Sequence, residues 1–176
     1  YYIFIGVFLF GALSFAVMQM NRGGGDDIKE DVNFLHAGQI VDFGRALQTA
    51  VKMMKIEGIG ENRISFENDF TGASYANAAC VTSSCEIFDP AGGGVIYRAP
   101  ESSWLGVANN TEPTYGEWVF SGANEVTGVG TDGAGTASSD LLIILPWINR
   151  AVCIAINEML EIDNPDGNPP QDNLAV

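Results

Sequence analysis

YYIFIGVFLFGALSFAVMQMNRGGGDD, residues 1–27, decides how this chain is read. No Asp, Glu, Lys, Arg or His precedes Arg22. As a helix, twenty such residues would span about 30 Å, close to the hydrocarbon thickness of a bilayer. A secretory signal has a basic start, a shorter apolar run and a small-residue cleavage site, a pattern this segment does not follow. The chain begins with Tyr1 rather than methionine, which fits prior removal of a basic leader. Gly6, Gly11, Ala12, Ser14 and Ala16 interrupt the large residues and permit close approach of neighbouring helices. The segment therefore suits a single-pass anchor or a helix packed among copies of itself.

Gly23, Gly24 and Gly25 each disfavour a continuous helix by roughly 1 kcal/mol relative to alanine. They predict a flexible joint over residues 23–27, with Asp26 and Asp27 placed to cap a second helix and complement its dipole. Over residues 28–57, Ile28, Val32, Leu35, Ile40, Phe43, Leu47, Ala50, Val51 and Met54 recur at helical spacing. They predict an amphipathic helix stopped by Gly58 and Gly60. His36, the sole histidine, lies beside this stripe and reads as a packing or surface residue.

Residues 58–176 change texture to short β-prone runs between turn residues. Candidate strands are Arg63–Glu67, Glu86–Phe88, Val95–Arg98 and Glu117–Ser121, with Asp89-Pro90 and three glycines predicting a hairpin between the second and third. A phosphate-cradling loop is the competing reading of those glycines, but it would end in Lys-Ser/Thr and open a helix, and this one does neither. Leu141–Leu145 is apolar throughout and reads as a buried strand or a helix start. Pro146 then suits the first turn of a helix running to about Leu160, with Trp147, Ile148, Ala151, Val152, Ala155, Ile156 and Met159 on its buried face.

The order of apolar helix (1–22), glycine joint (23–27), amphipathic helix (28–57) and β-rich head (58–176) resembles the type IV pilins and pseudopilins. The resemblance covers about residues 1 to 57, and the head carries no equally specific signature. It implies an α+β fold: a long N-terminal helix, with an apolar half, a Gly-rich break and an amphipathic half, packed on a small antiparallel β head with a C-terminal helix. It implies a structural subunit of an extracellular helical filament, held in the inner or cytoplasmic membrane before assembly. Tyr1, Phe4, Ile5, Phe8, Leu9, Leu13 and Val17 would then form the filament core or membrane helix. The implied partners are further copies of the chain, the membrane, and pilus or secretion assembly machinery. The sequence departs from the bacterial pattern at Ile5, where those pilins usually carry a glutamate that pairs with a neighbour's N-terminal amine. A pseudopilin of a type II secretion system, a minor pilin or adhesin, and a membrane-anchored binding module are the alternative readings.

The remaining composition bounds the chemistry. Asp and Glu number 22 against 8 Lys and Arg, a formal charge of −14, which argues against a nucleic-acid partner. Of three cysteines, Cys80 and Cys85 could close a local loop, and Cys85 and Cys153 a long one. The longer loop gains more in the chain-entropy model, so Cys85–Cys153 is the preferred pair, with Cys80 the alternative partner. Asp163, Asp166 and Asp172, with Asn164 and Asn168, offer oxygen ligands for calcium, a weak candidate strengthened only by the C-terminal calcium loop of some pseudopilins. Otherwise no cofactor or metal is expected. With one histidine, no base stands beside a Ser or Cys nucleophile, and no enzyme is expected. Asn109-Asn110-Thr111 is a formal glycosylation sequon in a plausible surface loop.

Overall fold

A computed structural model describes residues 2–124, 126 and 140–170, with side chains from residue 28 onward apart from those of residues 123 and 124. The protein is α+β: a long N-terminal helix α1 (Tyr2–Ile56), an antiparallel pair β1 (Val119–Asn124) and β2 (Asp140–Ile144), and a C-terminal helix α2 (Arg150–Met159). Short 3₁₀ turns carry much of the chain between α1 and β1.

Helix α1 is continuous through Gly23, Gly24 and Gly25, so the expected joint at residues 23–27 does not form. Asp26 and Asp27 lie inside a helix rather than capping one. Magnitudes explain the outcome. Three glycines cost about 3 kcal/mol relative to alanine. Stopping and restarting the helix requires a second nucleus, whose factor of about 10⁻³ corresponds to about 4 kcal/mol. Carrying the ladder through the glycines is the cheaper course. The resulting rod is about 80 Å long.

The head buries α1 side chains fully from Ala37 onward. Ala37, Ile40, Phe43, Leu47, Ala50 and Met54 are buried at steps of three and four residues. The outer part of the expected stripe is not covered: Ile28 is 63% exposed, Leu35 61%, and Val32 is also exposed. The reason is a change of face. Along residues 29–34, α2 brings Arg150, Ala151, Ile154, Ala155 and Glu158 alongside Lys29, Glu30, Asn33 and Phe34. A helix places Ile28, Val32 and Leu35 on a different side from Asn33, Phe34 and Ala37.

Opposite α1 stands an aromatic cluster. Phe66 stacks on Phe120 at 4.4 Å between ring centroids, Phe43 lies 4.9 Å from Trp118, and Phe88 meets Tyr97 edge-on at 5.2 Å. Trp104, Ile87 and Val152 are fully buried in the same core. Most of the expected strands supply side chains to this cluster without joining a sheet. Arg63–Glu67 and Glu86–Phe88 share a single parallel bridge, Ser65 to Glu86, and Val95–Arg98 is irregular. Only the fourth candidate continues into a strand, β1, which pairs Val119 with Ile144, Phe120 with Ile143 and Ser121 with Leu142 before a register shift. The strand alternative for Leu141–Leu145 holds, as β2.

The C-terminal helix starts later than expected. Pro146, Trp147 and Ile148 lie outside it, and Trp147 has a φ of 59°. Asn149 is the cap: its Oδ1 accepts from the Val152 N–H at 2.9 Å, and its Nδ2 donates to the Ser103 carbonyl at 3.0 Å. Its backbone N–H donates to the Trp104 carbonyl at 2.8 Å, so one residue starts α2 and fixes the neighbouring turn.

Leu47, with no exposed surface, should lose about 2–5 kcal/mol of stability on Leu47→Ala, whereas Leu35→Ala should stay within about 0.5 kcal/mol. Urea unfolding of the two variants checks this; equal losses would mean that the head also covers Leu35. Burial raises the pKa of the Tyr75 and Tyr97 hydroxyls, with the Glu117 charge adding to both. At Tyr97 the Trp118 backbone hydrogen bond pulls the other way. A raised phenol favours the neutral form in the folded state. The stability it contributes is present below about pH 10 and is lost as pH rises through the folded value. Ultraviolet titration should find these two hydroxyls ionising later in the folded chain than in denaturant.

Candidate functional site

The region that the sequence singles out for assembly is the N-terminal arm of α1. Phe4, Ile5, Phe8, Leu9, Leu13 and Val17 all fall on this helix, where the backbone alone is described; Tyr1 lies outside the described residues. From Tyr2 to Ala37, the first α1 residue buried in the head, the rod runs about 50 Å. Where its side chains are described, the exposed line Ile28, Val32 and Leu35 occupies one side, at spacings of four and three.

The expected membrane residence is corrected. Charges recur along the described side chains of α1, at Lys29, Glu30, Asp31, Asp42, Arg45, Lys52 and Lys55. Among the residues whose side chains are described, from residue 28 onward, no helix is long and apolar enough to cross a membrane. This conflicts with insertion in an inner or cytoplasmic membrane before assembly, and that expectation, together with the extracellular location tied to it, is withdrawn.

The Asp89–Gly94 turn is a structural element. Asp89 Oδ1 accepts from the Ala91 N–H at 2.7 Å, and the Asp89 carbonyl accepts from Gly92 and Gly94 at 3.0 and 2.9 Å. Gly93 N–H donates to the Glu86 carbonyl at 3.0 Å. These amides already have partners within the turn, which leaves no ready-made cradle for an anion. A Cβ on Gly93 would stand 2.5 Å from the Ile87 carbonyl oxygen, so the glycine is required by close backbone approach.

The calcium candidates are not brought together. Asn164 Oδ1 accepts from Asn157 Nδ2 at 2.9 Å, and Asn168 Oδ1 accepts from Arg150 Nε at 3.0 Å. Arg150 Nη2 also donates to the Gly167 carbonyl at 2.6 Å, placing a cation of the protein's own where a metal would draw on oxygens. Asp172 lies outside the described residues, and among the described residues no three His, Cys, Asp or Glu side chains form a metal-holding group.

Two other features have limited chemistry. His36 sits on α1 with Nδ1 buried and without a hydrogen-bond partner. A groove of about 620 Å³ on the head is lined by Asn62, Ser74, Tyr75, Asn77, Phe120 and Leu141, and its one carboxylate, Glu61, is paired with Lys55 at 2.6 Å. This lining offers amides and hydroxyls, without a second carboxylate to form an acid–base pair. Sequence reasoning missed Asn149 and Arg150, which fix the start of α2 and the tail. The signal for the first was an Asn directly before a helical apolar pattern.

The cysteine pairing differs from the preferred expectation. Cys85 is bonded to Cys80, its alternative partner, across a Cα–Cα distance of 5.6 Å, and Cys153 on α2 is free. Loop entropy rewards a long closure only when the fold brings both Cα atoms within bridging range. Here the Asn77–Cys80 and Thr82–Cys85 turns hold the near pair within that range. Burial raises the Cys153 thiol above its usual range, so it carries little thiolate near neutrality. Alkylation followed by mass analysis should label Cys153 alone, and slowly, until a reductant frees Cys80 and Cys85; labelling of Cys80 without reductant would overturn the pairing. No protein family, no curated protein and no solved structure matches this chain.

Proposed function

We propose that this protein is a pilin-like structural subunit of a helical filament, joined to further copies of itself through the N-terminal arm of α1. The observation that carries this reading is a rod that extends about 40 Å past the point where α2 first meets it, at Lys29, while keeping Ile28, Val32 and Leu35 uncovered. No charged residue precedes Arg22 on that rod, so the arm has nothing to hold it in water as an isolated helix. Like arms side by side remove apolar surface from water, and Gly6, Gly11, Ala12, Ser14 and Ala16 let them approach closely. The contact is head-to-tail in kind and does not close on itself, which generates a helical polymer rather than a ring.

Electron microscopy and sedimentation of the full chain test the proposal. The unaltered protein should form fibres that pellet, while Leu13→Asp and Val32→Asp should remain in the supernatant with their helical circular dichroism retained. A full chain that stays monomeric in aqueous buffer, with or without these changes, would refute it. Replacing Gly23, Gly24 and Gly25 together with alanine should stabilise α1 by roughly 1 kcal/mol per position and leave fibre formation intact, because the helix is already continuous there. Loss of fibres in that variant would mean that assembly requires the glycines to open the helix.

A further inference from the structure

Asn109-Asn110-Thr111 is the one Asn-X-Ser/Thr triplet in the chain with a non-proline middle residue. The fold places it on a short 3₁₀ turn, Val107–Asn109, with Asn109 partly exposed and Asn110 and Thr111 exposed. The turn is held by backbone bonds, from Asn109 N–H to the Gly106 carbonyl at 3.0 Å and from Glu112 N–H to the Asn109 carbonyl at 3.0 Å. Trp147 pins both ends of the loop. Its carbonyl accepts from the Gly106 N–H at 2.8 Å, and its Nε1 donates to the Pro113 carbonyl at 2.8 Å. Between those pins, neither the Asn109 amide nor the Thr111 hydroxyl makes a side-chain hydrogen bond among the described residues. The two groups that an acceptor sequon must offer are therefore uncommitted and at the surface.

We propose that Asn109 is an N-glycosylation site, the acceptor for a transferase that uses a lipid-linked sugar phosphate. In the transfer, Asn109 Nδ2 forms a bond to the anomeric carbon of the sugar. The bond from that carbon to the phosphate oxygen breaks, the lipid phosphate leaves with the electron pair, and the amide proton passes to a base on the transferase. Thr111 supplies the hydroxyl by which the triplet is recognised. The modification needs nothing from the filament: it depends on the head alone, and a bulky solvated group suits a loop whose side chains point to water.

The test is mass spectrometry of chymotryptic peptides from the full chain made in its natural cells, beside Asn109→Gln and Thr111→Val variants made in the same cells. The expected result is a sugar mass on Asn109 in the unaltered chain and its complete loss in both variants. Circular dichroism should be unchanged, since neither side chain holds the fold. Unmodified Asn109 in the unaltered chain would overturn the proposal, as would a sugar that persists in Thr111→Val or maps to Asn110.

Discussion

The head is built on the burial of one face of α1 between Ala37 and Met54. Its two-stranded sheet is too small to be stable alone, since an isolated hairpin is marginal in water. Between Glu57 and Trp118 the chain is mostly turns and irregular segments, joined by few ladder bonds. Its order comes from side chains: Ile64, Phe66, Ile87, Trp104 and Trp118 reach one core against Ile40, Phe43 and Leu47. The rigid rod supplies the flat apolar wall that the loops lack. Asparagine side chains then fix individual turns, Asn68 locally for residues 66–71, and Asn77 and Asn149 from further along the chain for residues 62–64 and 103–104.

How much of this was legible in the sequence depends on the range of each signal. The period of Ile40, Phe43, Leu47 and Met54 is local and repeats over several turns, so it gave a correct helix and a correct buried face. The run at Leu141 to Ile144 was apolar enough for a strand, though its partner was not readable. The β-prone runs at Arg63, Glu86 and Val95 misled because β-branched and aromatic residues report half-buried packing rather than ladder pairing. Here the rings of Phe66, Phe88 and Tyr97 pack on one another, and their backbones turn away to bond within loops. The glycine joint failed for a different reason. Propensity assigns the cost of each glycine but omits the cost of restarting a helix.

The candidate site shows the same division. The uncharged arm needed only a composition count, and the outer stripe at Ile28, Val32 and Leu35 was found by period. Which side of the rod its own head would leave open could not be read, because α2 lies more than a hundred residues later and covers the Asn33–Phe34 side instead. The disulfide was misjudged because chain entropy weighs the unfolded state, whereas the choice of partner was made by two local turns in the folded one. Arg150, which the sequence reading did not single out, holds the Gly167 and Asn168 oxygens.

In the proposed filament, the shape of the subunit restricts how copies can be arranged. Packed helices lie about 8–10 Å apart. A head of roughly 140 residues has a radius of gyration of about 14 Å, so heads are several times wider than the spacing of their arms. Arms could touch at that spacing only if successive heads were displaced along the axis. An arm that runs about 40 Å before it meets α2 leaves room for several such displacements. The charge distribution favours the same layout, because the acidic residues follow the arm and gather in the later part of the chain. Staggered heads keep those carboxylates further apart, beyond the screening length of about 8 Å at physiological salt. A long uncovered rod and a wide acidic head thus call for the same axial offset, one for steric reasons and the other for electrostatic ones.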